Sequence, residues 1–368
     1  MKFCAPCLFG IECLVSEELK ENEFENVLAE NGRVTFEGNV SSIARANICS
    51  RFSERILILL KSFKAITFEE LFEEVNSIEW AEYLPKDAAF PVNGWSLNSE
   101  LHSIPDCQKI IKKAIVKSLA KNYGISWFEE TGANYPIRFS ILKNQVSIMI
   151  DTSGEGLHKR GYRTKANAAP IKETLAAAMC KIARIRDYHT LYDPFCGSGT
   201  ILIEGTLLAN NIMPGIRRGF ISEQWESIDK SIWQDERSRA LDLIKHNTDF
   251  IAYGSDIDKD AIELTHANAN RFSVRNKLKL SVCDIKHFEP KSEKGTLICN
   301  PPYGERMMEQ RQAREIYKTM GKIFEPKRGW SYNIISPDEE FEKIYGAKAR
   351  KRRKLYNGMI KCTYYSYF

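Results

Sequence analysis

The 368-residue chain lacks the apolar run of roughly 18 to 20 residues that a membrane-crossing helix requires. Its stretch Ile56 to Leu60 is closed at both ends, by Arg55 and Lys61, so no membrane span is expected. An N-terminal leader is not expected either, because Glu12 interrupts Phe3 to Val15 and Glu17, Glu18 and Lys20 follow without a small-residue cleavage site. The ten cysteines have no regular spacing, and a chain of this length builds its core without covalent staples. Free thiols in a reducing cytoplasm are therefore expected. Cys4 and Cys7 form one C-x-x-C pair, but no second pair lies at zinc-binding spacing and Cys13 is the only near candidate, so no metal is expected. Repeats and low-complexity tracts are also missing.

What is present is an ordinary globular composition, 43% hydrophobic and 27% charged. At roughly 150 residues per domain this length implies two or three domains. The formal net charge of +5 hides an asymmetry. Residues 1–158 carry 16 Lys+Arg against 22 Asp+Glu, a balance of −6, whereas the remainder carries 37 against 26, a balance of +11. The densest positive run is Lys348-Ala-Arg-Lys-Arg-Arg-Lys354, either a solvated edge or a contact for a polyanion.

Residues 1 to about 155 alternate short strands and helices, an α+β pattern. Strands are expected at Lys2 to Cys7, Arg33 to Glu37, Arg55 to Phe63 and Gly94 to Leu101, with helices at Ile11 to Glu21, Val40 to Ser50 and Phe68 to Val75. A helix from Ser103 to Tyr123 has one apolar stripe, with Lys109, Lys112, Lys113, Lys117 and Lys121 around it. It is the one positive feature of the acidic half. Ile137 to Leu142 and Gln145 to Asp151 read as a hairpin, and Asp151 to Gly156 as a linker.

Beyond the linker, an Ala-rich helix over Pro170 to Arg184 is followed by strands at Thr190 to Tyr192, Ile251 to Ser255, Leu278 to Val282 and Thr296 to Cys299. Helices fall between them at Ile201 to Ala209 and Asp260 to Arg271. This succession predicts a mostly parallel, doubly wound sheet, and Asn357-Gly358 between two apolar runs predicts a closing antiparallel hairpin.

Ligands of such sheets bind outside the carboxyl ends of the strands, and several ends here carry polar or glycine-rich residues. Gly197-Ser198-Gly199 lets a backbone approach a ligand closely, with a helix N-terminus behind it. The turn lacks the last glycine of the dinucleotide fingerprint, where Leu202 stands, and no P-loop lysine follows. Asp256 ends the next strand, placed to accept from ribose hydroxyls, and Asp284 follows the one after, placed to accept from an adenine amine; either alone is more often a cap or turn residue, and it is their serial arrangement that points to a ligand. Asn300-Pro301-Pro302-Tyr303 then stops an apolar strand. Two prolines explain the stop but not the flanking Asn and Tyr.

An adenosine-bearing ligand without a phosphate cradle, beside a rigid Asn-Pro-Pro-Tyr, points to S-adenosylmethionine and methyl transfer to an exocyclic amine. The lone pair of such an amine is delocalised into its ring. The Asn300 side-chain oxygen and the Pro301 carbonyl can accept its two N–H groups and direct the lone pair toward the methyl, while Tyr303 can stack on the base. Cys196, in the cofactor turn, and Cys299, at a strand end, have no activating neighbour in the sequence and are not expected to act as nucleophiles.

DPFCGSGT at 193–200, GSDID at 254–258 and NPPYGER at 300–306 resemble class I methyltransferases of exocyclic amines. With FCAPCLFGIECLVSEEL at 3–19, LHKRGYR at 157–163, APIKETLAAAM at 169–179 and KLYNG at 354–358, the whole chain resembles the THUMP-containing 23S rRNA guanine-N2 methyltransferases (RlmL-like). The resemblance implies a ferredoxin-like segment over 1–60, a THUMP RNA-binding domain over 61–156 and a Rossmann-like methyltransferase domain over 157–368. It places the cofactor on Asp193, Phe195, Gly197, Ser198, Gly199, Asp256, Asp284 and Asn300, and catalysis on Asn300, Pro301, Pro302 and Tyr303. It implies RNA as partner, 23S rRNA or a ribosomal precursor first and tRNA second, with Lys109, Lys112, Lys113, Lys351, Arg352 and Arg353 as contacts. Alternatives are a tRNA guanine-N2, DNA adenine-N6 or protein-glutamine methyltransferase, or a non-catalytic RNA-binding assembly factor. Two features depart from the pattern: the acidic N-terminal half, and an insertion from about Asn210 to Asp249 that reads as a lid, a substrate contact or a helical surface excursion.

Overall fold

The computed structural model describes residues 1–163, 171–304, 307–325 and 327–368. Pro170, the first residue of the expected Ala-rich helix, and Glu305-Arg306 of the NPPYGER motif lie outside them.

The first half forms one mixed sheet from β1 (Lys2–Pro6), β2 (Glu25–Glu30), β3 (Arg33–Glu37), β4 (Leu57–Lys64), β5 (Val92–Leu97), β6 (Ile137–Leu142) and β7 (Gln145–Asp151), in the order β2-β3-β1-β4-β7-β6-β5. Antiparallel pairing of β4 with β7, from Leu57 opposite Asp151 to Lys64 opposite Gln145, makes the ferredoxin-like and THUMP segments a single hydrogen-bonded body. The helices of this half are α1 (Glu12–Glu21), α2 (Ser41–Cys49), α3 (Phe68–Asn76) and α4 (Ile104–Tyr123). Each has a local cause. α3 starts on a capping box, in which the Thr67 hydroxyl accepts from Glu70 N while the Glu70 carboxylate accepts from Thr67 N. α4 has Pro105 in its first turn and ends on left-handed Gly124. Its buried stripe of Cys107, Ile111, Ala114, Ile115, Ser118 and Leu119 packs against α3 and β5, and Lys109, Lys113, Lys117 and Lys121 are exposed.

The second half is a sheet of β8 (Thr190–Asp193), β9 (Ile251–Asp256), β10 (Leu278–Val282), β11 (Gly295–Cys299), β12 (Trp330–Ser336), β13 (Lys351–Asn357) and β14 (Ile360–Tyr367), in the order β10-β9-β8-β11-β12-β14-β13. Strands β8 to β12 are parallel, and the hairpin β13–β14 joins antiparallel through β14. The helices are α5 (Glu173–Ile182), α6 (Thr200–Ala209), α7 (Lys230–Asp242), α8 (Lys259–Arg271), α9 (Met307–Ile323) and α10 (Phe341–Tyr345). Strand order reverses at β8, which pairs with both β9 and β11, so a crevice opens above the carboxyl ends of these three strands. α6 is apolar nearly all round and correspondingly buried.

The insertion from 210 to 249 is neither a lid nor a free excursion. It contains α7 and bridges the two halves. Trp225 stacks on Tyr135 of the first half at 4.4 Å between ring centroids and donates its indole N–H to Asn134 O at 2.9 Å. Arg45 of α2 reaches Glu236 of α7 at 2.9 Å, and Arg51 donates to Ile212 O at 2.9 Å. Arg218 of the insertion is also turned inward, donating to the carbonyls of Glu155, Gly156 and Lys159.

Candidate active site

The crevice holds a cavity of about 1020 Å³, lined by residues from the loops after β8, β9, β10 and β11 and from α9. The first loop is shaped by two left-handed glycines, Gly197 at φ +52° and Gly199 at φ +79°. At Gly199 a side chain would also collide, because a Cβ there would lie 2.5 Å from Thr265 Cγ2. The loop is held from outside. Thr265 Oγ1 of α8 donates to Gly197 O at 2.8 Å, Asn268 Nδ2 donates to Ser198 O at 2.9 Å, and Gly197 N donates to Asp256 Oδ2 at 2.9 Å.

Asp193, at the end of β8, is buried and accepts from Phe195 N at 3.1 Å. Burial, aided by the nearby Asp256 carboxylate, pushes its carboxyl up to about 8. A buried carboxyl that resists ionisation beside an open cavity is a position ready for a cationic ligand. Asp256 also accepts from Asp258 N at 3.0 Å, and Asp284 accepts from Lys286 N at 2.9 Å, so both carboxylates are oriented by backbone turns at the cavity wall. Asp193, Phe195, Gly197, Ser198, Asp256, Asp284, Asn300 and Pro302 share this lining, whereas Gly199 stands behind it under α6.

Asn300 opens into the same cavity from the end of β11. Its Oδ1 accepts from the Tyr303 hydroxyl, which is also 3.5 Å from Asn357 Nδ2 and 3.9 Å from Cys362 Sγ on the terminal hairpin. Burial raises the Tyr303 phenol well above its ordinary range, so it stays a donor. Pro301 is buried, and the Pro302 carbonyl accepts from Tyr317 of α9 at 3.0 Å. The tetrapeptide is thus anchored on both sides of the strand end. Cys196 and Cys299 are buried and their thiols are shifted upward by that burial, which disfavours the thiolate.

Residues 160–366 match the RMKL-like methyltransferase domain, residues 2–57 the RlmL ferredoxin-like domain and residues 65–151 the THUMP domain. The chain belongs to the RMKL-like methyltransferase family. It is 43% identical over 366 residues to YpsC of Bacillus subtilis (strain 168), provisionally named an RNA methyltransferase, covering 99% of this chain and 95% of that protein. It is 33% identical over 375 residues to the ribosomal RNA large subunit methyltransferase K/L of Psychromonas ingrahamii, covering 100% of this chain but only 50% of that longer protein. Among solved structures, SMU.472, described as a methyltransferase complexed with SAH, superposes with a TM-score of 0.93 at 38% identity, covering 100% of this chain and 97% of that one.

S-Adenosylmethionine is the methyl donor of this methyltransferase fold. The residues present suit it: a buried carboxyl at the cavity floor, two oriented carboxylates on the wall, and exposed Ile257 beside Asp256 as an apolar face for a base. Ile257, Thr265 and Asn268 were not among the residues singled out from the sequence. The signal for the latter two is legible in retrospect, since polar residues three apart on the buried face of the helix after Asp256 need partners.

The expected RNA-contacting cations fall into two groups in this methyltransferase. Lys109, Lys113 and Lys351 point outward. Lys112 is turned inward, 3.5 Å above the Phe90 ring and paired with Glu130 at 2.5 Å, with its ammonium shifted downward by burial. Arg352 pairs with Glu342 at 2.7 Å, and Arg353 donates to Gly10 O at 3.1 Å and to Cys13 Sγ at 2.8 Å, fastening the hairpin to the N-terminal half.

Proposed function

We propose that the protein methylates the exocyclic N2 amine of a guanine in 23S rRNA. One observation carries the reading: Asn300, at the end of β11, opens into the same cavity as the glycine turn and the two wall carboxylates. The match to a THUMP domain and the ribosomal RNA methyltransferase relative support RNA as the substrate class.

In this reading Asp193, Phe195, Gly197, Ser198, Gly199, Asp256 and Asp284 hold the cofactor, which supplies an electrophilic methyl when bound. Asn300 Oδ1 and the Pro301 carbonyl accept the two N–H groups of the amine. That localises its lone pair, and the prolines keep the acceptors from moving as charge develops. The proton released after transfer leaves to solvent. The Tyr303 hydroxyl occupies Asn300 Oδ1 in the structure. We assign it to holding that oxygen until the amine replaces it, whereupon the ring can pack on the base. A guanine inside a stacked helix cannot reach this depth, so the target is unpaired or extruded.

The test is methyl transfer from labelled S-adenosylmethionine to 23S rRNA, tRNA and genomic DNA from a deletion strain, read by nucleoside mass spectrometry. N2-Methylguanosine in 23S rRNA supports the proposal. Label in tRNA or as N6-methyladenosine in DNA overturns it in favour of the corresponding alternative.

A further inference from the structure

A second cavity, of about 620 Å³, lies toward the amino-terminal part of β12, away from the strand ends that carry the active site. Its floor includes Asn333 and Ser366, polar side chains buried in a sheet face that is apolar further along, at Ile335 and Tyr364. Its walls include Arg184, Lys351, Arg352 and Arg353, and no Asp or Glu side chain among the described residues lines it. Arg352 and Arg353 have the internal partners given above. Arg184 and Lys351 do not: both are exposed, and neither makes an ion pair with a described residue. Arg184 and Lys351 thus give a concave site positive charge that no described side chain pairs, which suits an anion.

Arg184 adds a second, independent observation. It follows the last turn of α5 at φ +60°, with Arg184 N donating to Lys181 O at 3.0 Å and Ile185 N to Cys180 O at 3.1 Å. This is the helix-ending motif whose left-handed position is ordinarily glycine, because a Cβ there is disfavoured. The chain keeps an arginine at that position, and its side chain makes no hydrogen bond or ion pair with the described residues in return. Strain retained without a structural partner points to a role for the side chain. Phe368 stands at the mouth, half exposed, with the Arg350 guanidinium 5.3 Å and the Lys351 ammonium 5.8 Å from its ring centroid. Exposed Lys348, Arg350 and Lys354 continue the positive strip along the surface.

We propose that this cleft binds the backbone of a single-stranded segment of the substrate RNA, Arg184 and Lys351 holding a phosphate and Phe368 offering a stacking face to the adjoining base. Cations beside an exposed ring are the combination that single strands select, since the phosphate and the base face are read together without sequence preference. The proposal rests on RNA being the substrate and extends that reading to a surface remote from the methyl-transfer site.

The experiment compares wild type, Arg184→Gly and Arg184→Gly/Lys351→Ala for binding to a fluorescein-labelled oligouridylate and to 23S rRNA transcript across a KCl series. Each lost phosphate contact is expected to weaken binding by ~3- to 10-fold and lower the slope of log affinity against log salt by about 1, with S-adenosylmethionine affinity at the wild-type value. The Arg184→Gly variant is expected to melt at or above the wild-type temperature, which separates a binding role from a folding role. Unchanged RNA affinity and salt slope in both variants overturn the proposal. So does saturable binding of inorganic phosphate that the variants abolish while their RNA affinity stays intact, since that assigns the cleft to a free phosphate. Methylation of RNA by wild type, measured separately, tests the reading beneath it: an active wild type with variants of unaltered RNA affinity overturns the cleft alone.

Discussion

Replacing Asp193 by Asn isolates the cost of keeping a carboxyl buried beneath the cofactor cavity. In the folded protein burial raises this group from the ordinary 3.8 to about 8. The sign follows from which state holds the proton. Below about pH 4 folded and unfolded chains both carry it, so the group contributes nothing. Between pH 4 and 8 the unfolded chain ionises and the folded one does not, so stability is progressively lost as pH rises, and above 8 the loss is complete. At pH 7 three units at 1.36 kcal/mol each make about 4 kcal/mol if the whole cost is recovered. Asn keeps the acceptor for Phe195 N and carries no titratable proton. Asp193→Asn is therefore expected to be about 2–4 kcal/mol more stable at pH 7, a rise of roughly 3–5 °C in Tm for a chain of this length, and close to wild type at pH 4. The same change should weaken S-adenosylmethionine binding by ~10- to 100-fold, because a cationic ligand gains from a carboxylate that its own field ionises. Titration calorimetry of wild type in buffers of different ionisation enthalpy should show about 0.9 proton released per cofactor bound at pH 7 and about 0.1 at pH 9. A variant with unchanged Tm at pH 7, or cofactor binding without proton release, would refute this reasoning.

Three further outcomes follow from the same geometry. Gly199→Ala must place a Cβ 2.5 Å from Thr265 Cγ2 in a left-handed residue; at ~1–2 kcal/mol for the backbone alone it should weaken cofactor binding at least ~10-fold by calorimetry. Trp225→Ala removes the ring stacked on Tyr135 and should cost ~3–5 kcal/mol, read as a lower denaturation midpoint and faster proteolysis in the 210–249 segment. Tyr303→Phe deletes the hydroxyl that occupies Asn300 Oδ1. Cofactor affinity and kcat should stay within about fivefold of wild type while KM for RNA does not rise, as expected of a neutral hydrogen bond worth ~1 kcal/mol; a kcat loss of 100-fold would show that the hydroxyl takes part in the transfer.

Much of the architecture was legible because its signals are local. Alternating strands and helices, the Gly-Ser-Gly turn and the carboxylates at strand ends give the parallel sheet and its crevice by periodicity and chain punctuation alone. β2 was missed because Glu25–Glu30 is an edge strand, exposed along nearly its whole length, with no apolar alternation to betray it. β5 starts at Val92 and ends at Leu97, where the sequence suggested Gly94 to Leu101, because Asn98 takes a left-handed conformation at φ +51° and ends the strand there. The 210–249 insertion was misjudged for another reason: the partners of Trp225 and Glu236, Tyr135 and Arg45, lie far away in the chain, and no local pattern says which distant surface a tryptophan will cover. The basic residues show the same limit. Lys112 and Arg353 read as free charge in the sequence, yet each is consumed by contacts more than fifteen residues away, while Arg184, unremarkable in the sequence, is left facing a cleft.

The proposed function stands or falls on whether Asn300 activates a guanine amine in large-subunit RNA. The most direct measurement is single-turnover transfer of labelled methyl to 23S rRNA by wild type and Asn300→Ala, with nucleosides resolved by mass spectrometry and S-adenosylmethionine affinity measured on both proteins. N2-Methylguanosine is expected from wild type, with a rate lower by ~100- to 1,000-fold in the variant as for loss of one preorganised transition-state contact, and cofactor affinity changed far less. A variant that transfers at the wild-type rate, or a product methylated elsewhere than on guanine N2, would contradict it.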